Sequence, residues 1–258
     1  MSEYMVLIVI VIGILIERIR PALHCPIRGV IFNIVYWFPA TFLQTITVGG
    51  VVMLTNMLVG GVIILPSKGW LLVPAIAAFV IVMDFSEYVF HRLQHRIPVL
   101  WALHSFHHSD ETMNLSTTYR HFWADQALKA MSINLLVGLL FQANPPVLLA
   151  YSGIMLCNLF FHMNVPIGLG RCWLLLNSPQ YHRIHHSSLT EHQDRNFAAL
   201  FPIFDAIFRT AHRPQAGEFP ATGLYDQDKP RDMIEALIWP VRGTYRAMAS
   251  WRWRRVPD

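Results

Sequence analysis

Four apolar runs organise the chain. Tyr4 to Ile16 is wholly apolar, and Glu17-Arg18-Ile19-Arg20-Pro21 closes it. Gly29 to Ser67 contains no Asp, Glu, Lys or Arg, and neither does Met131 to Val165. Gly69 to Phe90 is interrupted only by Asp84 and Glu87. A bilayer core of about 30 Å takes roughly 20 apolar residues as helix. The runs therefore predict transmembrane segments at about 4–16, 29–67, 69–90 and 131–165. The first lacks a basic start and a small-x-small cleavage site, so a retained helix is expected rather than a signal peptide. At 1.5 Å per residue, 29–67 would make a helix of about 58 Å, too long for one crossing. A break near Gly49-Gly50, or an interfacial portion, is expected. Pro145-Pro146 marks the turn of a hairpin in 131–165, because neither proline continues a helix comfortably.

Composition sharpens this picture. Of 258 residues, 54% are hydrophobic and 14% charged, against about 25% charged in soluble domains. That excludes an ordinary cytosolic domain, a disordered chain and a nucleic-acid binder. The net charge is only +4, but its placement is uneven. Stretches 91–130 and 166–258 hold 16 of the 20 Lys and Arg residues, which argues that both are cytoplasmic. The expected architecture is all-α: residues 1–258 form one integral membrane helical bundle, with a cytoplasmic, histidine-rich helical cap from 91–130 and 166–258. The ending Trp251-Arg252-Trp253-Arg254-Arg255 suits a membrane interface or a solvated tail equally. Cys25, Cys157 and Cys172 give neither a disulfide framework nor a zinc ribbon.

Thirteen histidines change the question from architecture to chemistry. Eight fall in three clusters: His91 and His95; His104, His107 and His108; His182, His185 and His186. The spacings are i, i+4 and twice i, i+3, i+4, so each cluster aims its rings from one helical face. Neutral imidazole ligates zinc, copper, iron and nickel, and eight exceed what one ion takes. Two ions follow. No Glu-x-x-His pair of the soluble di-iron bundles occurs, so the site is histidine-dominated. His162, near the end of the 131–165 hairpin, is a ninth candidate. Asp84 and Glu87 sit seven and four residues before His91, and carboxylates in a membrane segment invite a functional reading; positioning of the histidines is expected of both. Asp110, Glu111, Glu191 and Asp194 read as solvated loop acids, and His24, His192 and His212 as surface residues. A membrane metal transporter or store would line a path across the bilayer with its histidines, and a bis-histidine haem protein would use single residues on facing spans. Both fit clusters at one face less well than an enzyme does.

The pattern Asp84-Phe85-x-x-Tyr88-x-x-His91-Arg92-x-x-His95, then Leu100-Trp101-x-x-His104-x-x-His107-His108-Ser109, resembles the fatty acid hydroxylase / sterol desaturase superfamily. So do Ser178-Pro179-Gln180-Tyr181-His182-Arg183-Ile184-His185-His186-Ser187 and Asp194-Arg195-Asn196-Phe197. The resemblance covers about residues 80–212. It implies an integral membrane oxidoreductase with two iron ions that activates dioxygen and hydroxylates or desaturates a lipid: a fatty acyl chain, a sterol-like molecule or a carotenoid. It implies that the eight cluster histidines form the catalytic set and that, with His162, they ligate the metals. The chain departs from the pattern at Arg120-His121-Phe122-Trp123-Ala124-Asp125, where the usual histidine falls on Phe122 and His121 is displaced by one. Asn158 stands where some members have histidine, and a usual Phe-Gly-Thr reads Phe208-Arg209-Thr210. Such chemistry needs two external electrons. The chain has no cysteine set for an iron–sulfur cluster and no dinucleotide fingerprint. A ferredoxin- or cytochrome-type donor is expected, docking on a basic face that includes Arg183, Arg195 and Arg209. The lipid is expected to enter laterally from the bilayer.

Overall fold

The computed structural model describes residues 3–58 and 61–241; the aromatic and basic ending at 251–255 lies outside them. The apolar runs become helices of unequal length. α1 spans Glu3–Ile19, α2 Ile27–Leu58 and α3 Leu72–Arg96. Two stretches, Ile27–Gly50 and Leu72–Arg96, are long and apolar enough to cross a membrane among the described residues. α2 runs unbroken through Gly49-Gly50 and carries Pro39 within it, so the expected break is absent there. Large apolar side chains stand exposed along these helices, among them Ile31, Phe38, Phe42, Val73 and Ile81. Such a girdle suits a lipid surround.

The expected hairpin forms over 131–165 with its turn just before Pro145-Pro146, each arm built of consecutive short helical pieces. α5 (Asp125–Lys129) passes through a π-turn at Ala130–Asn134 into α6 (Leu135–Leu140). The return comprises α7 (Pro145–Met155) and α8 (Cys157–Phe161). The physical reason lies at the turn. Phe141–Gln142 (β2) pairs in parallel with Ile63–Ile64 (β1), which stops α6. Asn144 then caps α7 by accepting from the Val147 N–H, while its amide donates to Leu65 and Pro66 carbonyls. Pro145 and Pro146 open the return helix, where a missing N–H costs nothing. Gly61 (φ +35°) abuts the Gln142 backbone, where a Cβ would collide.

α3 and α4 (Pro98–His108) are separated by one residue, Ile97, in an extended conformation. Proline forbids the helical conformation before it, so the chain bends sharply and folds α4 back against the end of α3. Near the C-terminal side lie α9 (Pro179–His185), α10 (Ile203–Ile207) and α11 (Met233–Leu237). One apolar cluster joins α3, the π-turn, α6 and α7 through Phe79, Met83, Phe90, Ile133, Val137 and Val147. A second joins α2, α4 and the C-terminal segment through Tyr36, Phe106 and Trp239. Between them lie the histidines.

Candidate metal centre

The histidine positions follow from helix ends. His91 and His95 occupy the last turns of α3, one helix with the apolar run before it. His104, His107 and His108 end α4, and His162 follows α8. Ser178 accepts the Tyr181 N–H and Pro179 starts α9, which fixes the turn that carries His182, His185 and His186.

All nine predicted histidines converge, but they sort into two groups. One comprises His91, His95, His104, His108 and His185; the other comprises His107, His162, His182 and His186. Within each group, candidate ligand atoms lie within 4.8 Å of one another. Each His-x-x-His-His cluster divides between the groups. In α4 the i, i+4 pair His104/His108 joins the first group and His107 the second. In α9 the assignment reverses, with His182/His186 in the second and His185 in the first.

Backbone carbonyls fix several ring tautomers. A carbonyl only accepts, so each ring nitrogen facing one must carry the proton. His91 Nδ1 meets Phe197 O at 2.8 Å, His185 Nδ1 meets Arg195 O at 2.7 Å, and His162 Nδ1 meets Asn158 O at 2.8 Å. His107 Nδ1 meets Arg120 O at 3.3 Å. Each Nε2 then carries a lone pair. The Nε2 atoms of His107 and His162 nonetheless face each other at 3.1 Å, and His182 Nε2 is 3.0 Å from that of His162. In the first group, His91 and His104 meet at 3.0 Å, and His95 and His104 each approach His108 at 3.2 Å. Where both tautomers are fixed, as for His107 and His162, facing lone pairs at this range call for a cation between them. Metal–nitrogen bonds of about 2.0–2.1 Å give ligand–ligand edges of roughly 3.0–3.4 Å, matching these separations. Both nitrogens of buried His186 and Nε2 of His185 are without a hydrogen-bond partner.

Electrostatics agree with that donor set. Burial, reinforced by neighbouring imidazoles, drives His107, His108, His182, His185 and His186 well below the ordinary histidine range. Burial lowers His104 to about 4, although Asp125 pulls the other way. All six are therefore neutral, the ligating form. Nine imidazoles with converging nitrogens, seven of them buried, fit two metal ions.

The surroundings differ from expectation in instructive ways. Asp84 accepts the backbone N–H groups of Leu200 and Phe201 at 2.8 and 2.9 Å. It pins the loop whose Phe197 carbonyl holds His91, so it reaches the histidines only through that loop. Glu87 faces Lys129 Nζ (2.7 Å) and Tyr151 OH (2.9 Å), away from the rings. Asp110 is buried, not solvated: it accepts from Asn33, Thr112 and Thr117. Burial opposes its ionisation, but nearby Arg120 and these donors outweigh that and hold its carboxyl below the usual range. Glu111 and Glu191 are exposed as expected, and Glu111 pairs with Lys229. Asp194, half exposed, lies 3.4 Å from His95 Nδ1. Arg183 is buried and donates to Pro220 O and Asn164 Oδ1, so it cannot dock a partner. His24 is exposed, whereas His192 is buried and His212 half-buried, because Glu218 draws both inward.

Three residues with no role predicted from sequence lie close by. Asp125 lies 3.6 Å from His104 Nδ1 and 3.5 Å from His121 Nδ1, and accepts from Gln94 at 2.6 Å. Burial raises its pKa, but contacts with His104 and His121 prevail and lower it. His121 stacks on His107, ring centroids 4.1 Å apart and planes 11° apart, beside the second group but outside it. Asp205 is fully buried. It accepts the N–H groups of Phe197 and Ala198, the Tyr181 hydroxyl and the Thr210 hydroxyl, all within 2.9 Å. Asn158 contributes its backbone carbonyl to His162.

A cavity of about 410 Å³ lies between α2 and the 118–126 segment. Trp37, Thr41, Gln44, Thr45, Tyr119 and His121 are among its lining. It reaches, through His121, to one ring from the second histidine group.

The chain is 35% identical to an alkylglycerol monooxygenase of Homo sapiens over 142 residues, 50% of this chain and 28% of that protein. It is 34% identical to that of Danio rerio over 165 residues, 63% of this chain and 34% of that one. It is 29% identical to the ornithine lipid hydroxylase OlsE of Rhizobium tropici over 135 residues, 52% and 40% of the two chains. The chain thus spans about a third of the length of these curated relatives. No solved structure matches. A family model described as fatty acid hydroxylase matches residues 76–210, just over half the chain and the stretch that holds all nine converging histidines. The chain belongs to the fatty acid hydroxylase family.

Proposed function

We propose that this chain is a membrane-embedded, di-iron lipid hydroxylase that uses dioxygen and external electrons. The observation that carries this reading is the pair of histidine groups with facing ring nitrogens. His91, His95, His104, His108 and His185 would hold one iron, and His107, His162, His182 and His186 the other. Iron bound there would supply dioxygen activation. The protein's own part is to fix and dry the site. Carbonyls of Arg120, Asn158, Arg195 and Phe197 orient four rings, as partners behind ligands commonly do. Burial keeps bulk water out.

The relatives named for monooxygenase and hydroxylase activity favour hydroxylation over desaturation, and they favour a lipid substrate. The cavity beside α2 mixes hydroxyl and amide groups with Trp37 and Tyr119. It suits an amphiphile entering from the bilayer with its oxygen-bearing end near His121. The basic distribution of the sequence supports a cytoplasmic site, where a ferredoxin- or cytochrome-type donor would dock. With Arg183 buried, Arg195 and Arg209 remain as its candidate contacts.

The test is purification in lipid nanodiscs with elemental analysis and a turnover assay. Two irons per chain are expected, with sharp loss in a His107→Ala/His185→Ala variant. Incubation with an ether-lipid and ornithine-lipid panel under 18O2, with reductant and donor, should yield a product carrying one heavy oxygen. One or no iron per chain after reconstitution, or hydroxylated product without the heavy label, would overturn the proposal.

A further inference from the structure

A second kind of metal-ligand constellation lies outside the nine histidines. His192 ends a 3₁₀ turn (Thr190–His192), and His212 and Glu218 belong to the loop after α10. Glu218 Oε1 is 3.2 Å from His192 Nε2 and 3.0 Å from His212 Nε2. The three donor atoms lie within 4.8 Å of one another. We propose that His192, His212 and Glu218 bind a zinc-class divalent cation, distinct from the two histidine groups.

Three features support it. The first is spacing: tetrahedral zinc with bonds of about 2.0–2.1 Å has ligand edges of roughly 3.3–3.4 Å, a few tenths from those found. The second is preorganisation. The other Glu218 oxygen accepts the Gln215 N–H at 2.7 Å, so Oε1 is left to face the rings. Asn196 clamps the His212 backbone on both sides, accepting its N–H at 2.6 Å and donating to its carbonyl at 3.1 Å. His192 Nδ1 lies 3.0 Å from Ser187 Oγ. That oxygen can accept the Nδ1 proton, which turns the Nε2 lone pair toward Glu218. The third is access: His192 is buried, while side chains of His212 and Glu218 are 28% and 20% exposed. An ion can therefore enter from the side of His212 and Glu218. Two imidazoles and one carboxylate suit zinc among common divalent ions.

The site would act as a staple. Gln180 of α9 donates to carbonyls of Gln215 and Glu218, and Asn196 belongs to the loop that orients His91 and His185. An ion would lock the 212–218 segment over the third histidine cluster without touching it.

The experiment uses the full chain in nanodiscs, loaded with iron first and then equilibrated with zinc and desalted. Metals are counted in the wild type, His192→Ala, His212→Ala and Glu218→Gln. One zinc per chain is expected in the wild type and close to none in each variant, with the iron count unchanged. Zinc should also raise the unfolding temperature of the wild type and leave Glu218→Gln unmoved. Glu218→Gln keeps the side-chain size, so it answers the question if a histidine variant fails to fold. Equal zinc in wild type and Glu218→Gln, or no zinc retained by the wild type, would overturn the proposal and leave a purely hydrogen-bonded cluster. The iron count reports separately on the two histidine groups.

Discussion

Replacing Asp205 with alanine should weaken the candidate metal centre from a distance. The carboxylate accepts four donors: the Phe197 and Ala198 N–H groups (both 2.8 Å), the Tyr181 hydroxyl (2.9 Å) and the Thr210 hydroxyl (2.7 Å). Thr210 keeps an alternative, because its hydroxyl also meets Tyr88 at 2.9 Å. The other three donors would be stranded in a buried site, at about 1–3 kcal/mol each. Water entering the space, and the relief of a charge whose burial raises its pKa, offset part of this. A net loss of about 3–5 kcal/mol follows, the usual range for removing one member of a buried charged network. For a chain of this size that is a fall of roughly 6–20 °C in unfolding temperature. The freed Phe197 carbonyl would no longer hold His91, and loss of such a partner typically weakens metal binding about 10–100-fold. The assay is intrinsic-fluorescence melting in nanodiscs beside iron retention against a chelator. Unchanged iron retention in a destabilised Asp205→Ala protein would refute the link from Asp205 to His91. An unchanged melting temperature would refute the network itself.

Further outcomes follow from single features. Arg209 adopts φ +59° where a glycine would sit without strain; Arg209→Gly should stabilise by about 0.5–1 kcal/mol, read as a rise in melting temperature, and a fall would show that the arginine side chain contributes more than its backbone costs. Lys129→Met should destabilise more than Lys129→Met/Glu87→Gln, because the single change leaves Glu87 buried with only Tyr151; melting curves with the single variant equal to or above the double would contradict this. Thr41 Oγ1 is buried without a hydrogen-bond partner, so Thr41→Val should change stability by no more than about 0.5 kcal/mol, or raise it, and a clear loss on melting would reveal a partner for that hydroxyl. His182→Ala should remove iron chiefly from the second group and leave His91, His95, His104, His108 and His185 able to retain about one ion, as counted by elemental analysis; retention of two would speak against His182 as a ligand.

Much of the histidine arrangement was legible from spacing, because i, i+3 and i+4 positions on a helix end must share a side. Its division in two was not. Whether His107 or His108 turns to one group or the other depends on how α3, α4 and α9 cross, which spacing does not encode. Asp84 and Glu87 stood out as carboxylates in an apolar run, yet their partners lie 116 residues away in Leu200 and 42 away in Lys129. Such pairings are set by packing rather than by local pattern. Arg183 and His192 read as surface residues because polar side chains usually are. Both were turned inward by distant acceptors, Pro220 and Asn164 for the arginine and Glu218 for the histidine. The hairpin turn at Pro145-Pro146 was legible, but the two-residue strand pairing and the asparagine cap that fix it were not visible in hydropathy.

The crossing of α9 into both histidine groups has a bearing on biogenesis. Residues 182–186 supply one member of the first group and two of the second. A nascent chain that ends before them carries four imidazoles of one group and only two of the other. Neither histidine group is complete until residue 186 has been made. By then the long helices before residue 97 have been made and can already lie in the bilayer. If the two groups bind metal as proposed, loading must wait for residues 182–186, which are made after the long helices before residue 97, and a chain that stops short of them holds neither full ligand set.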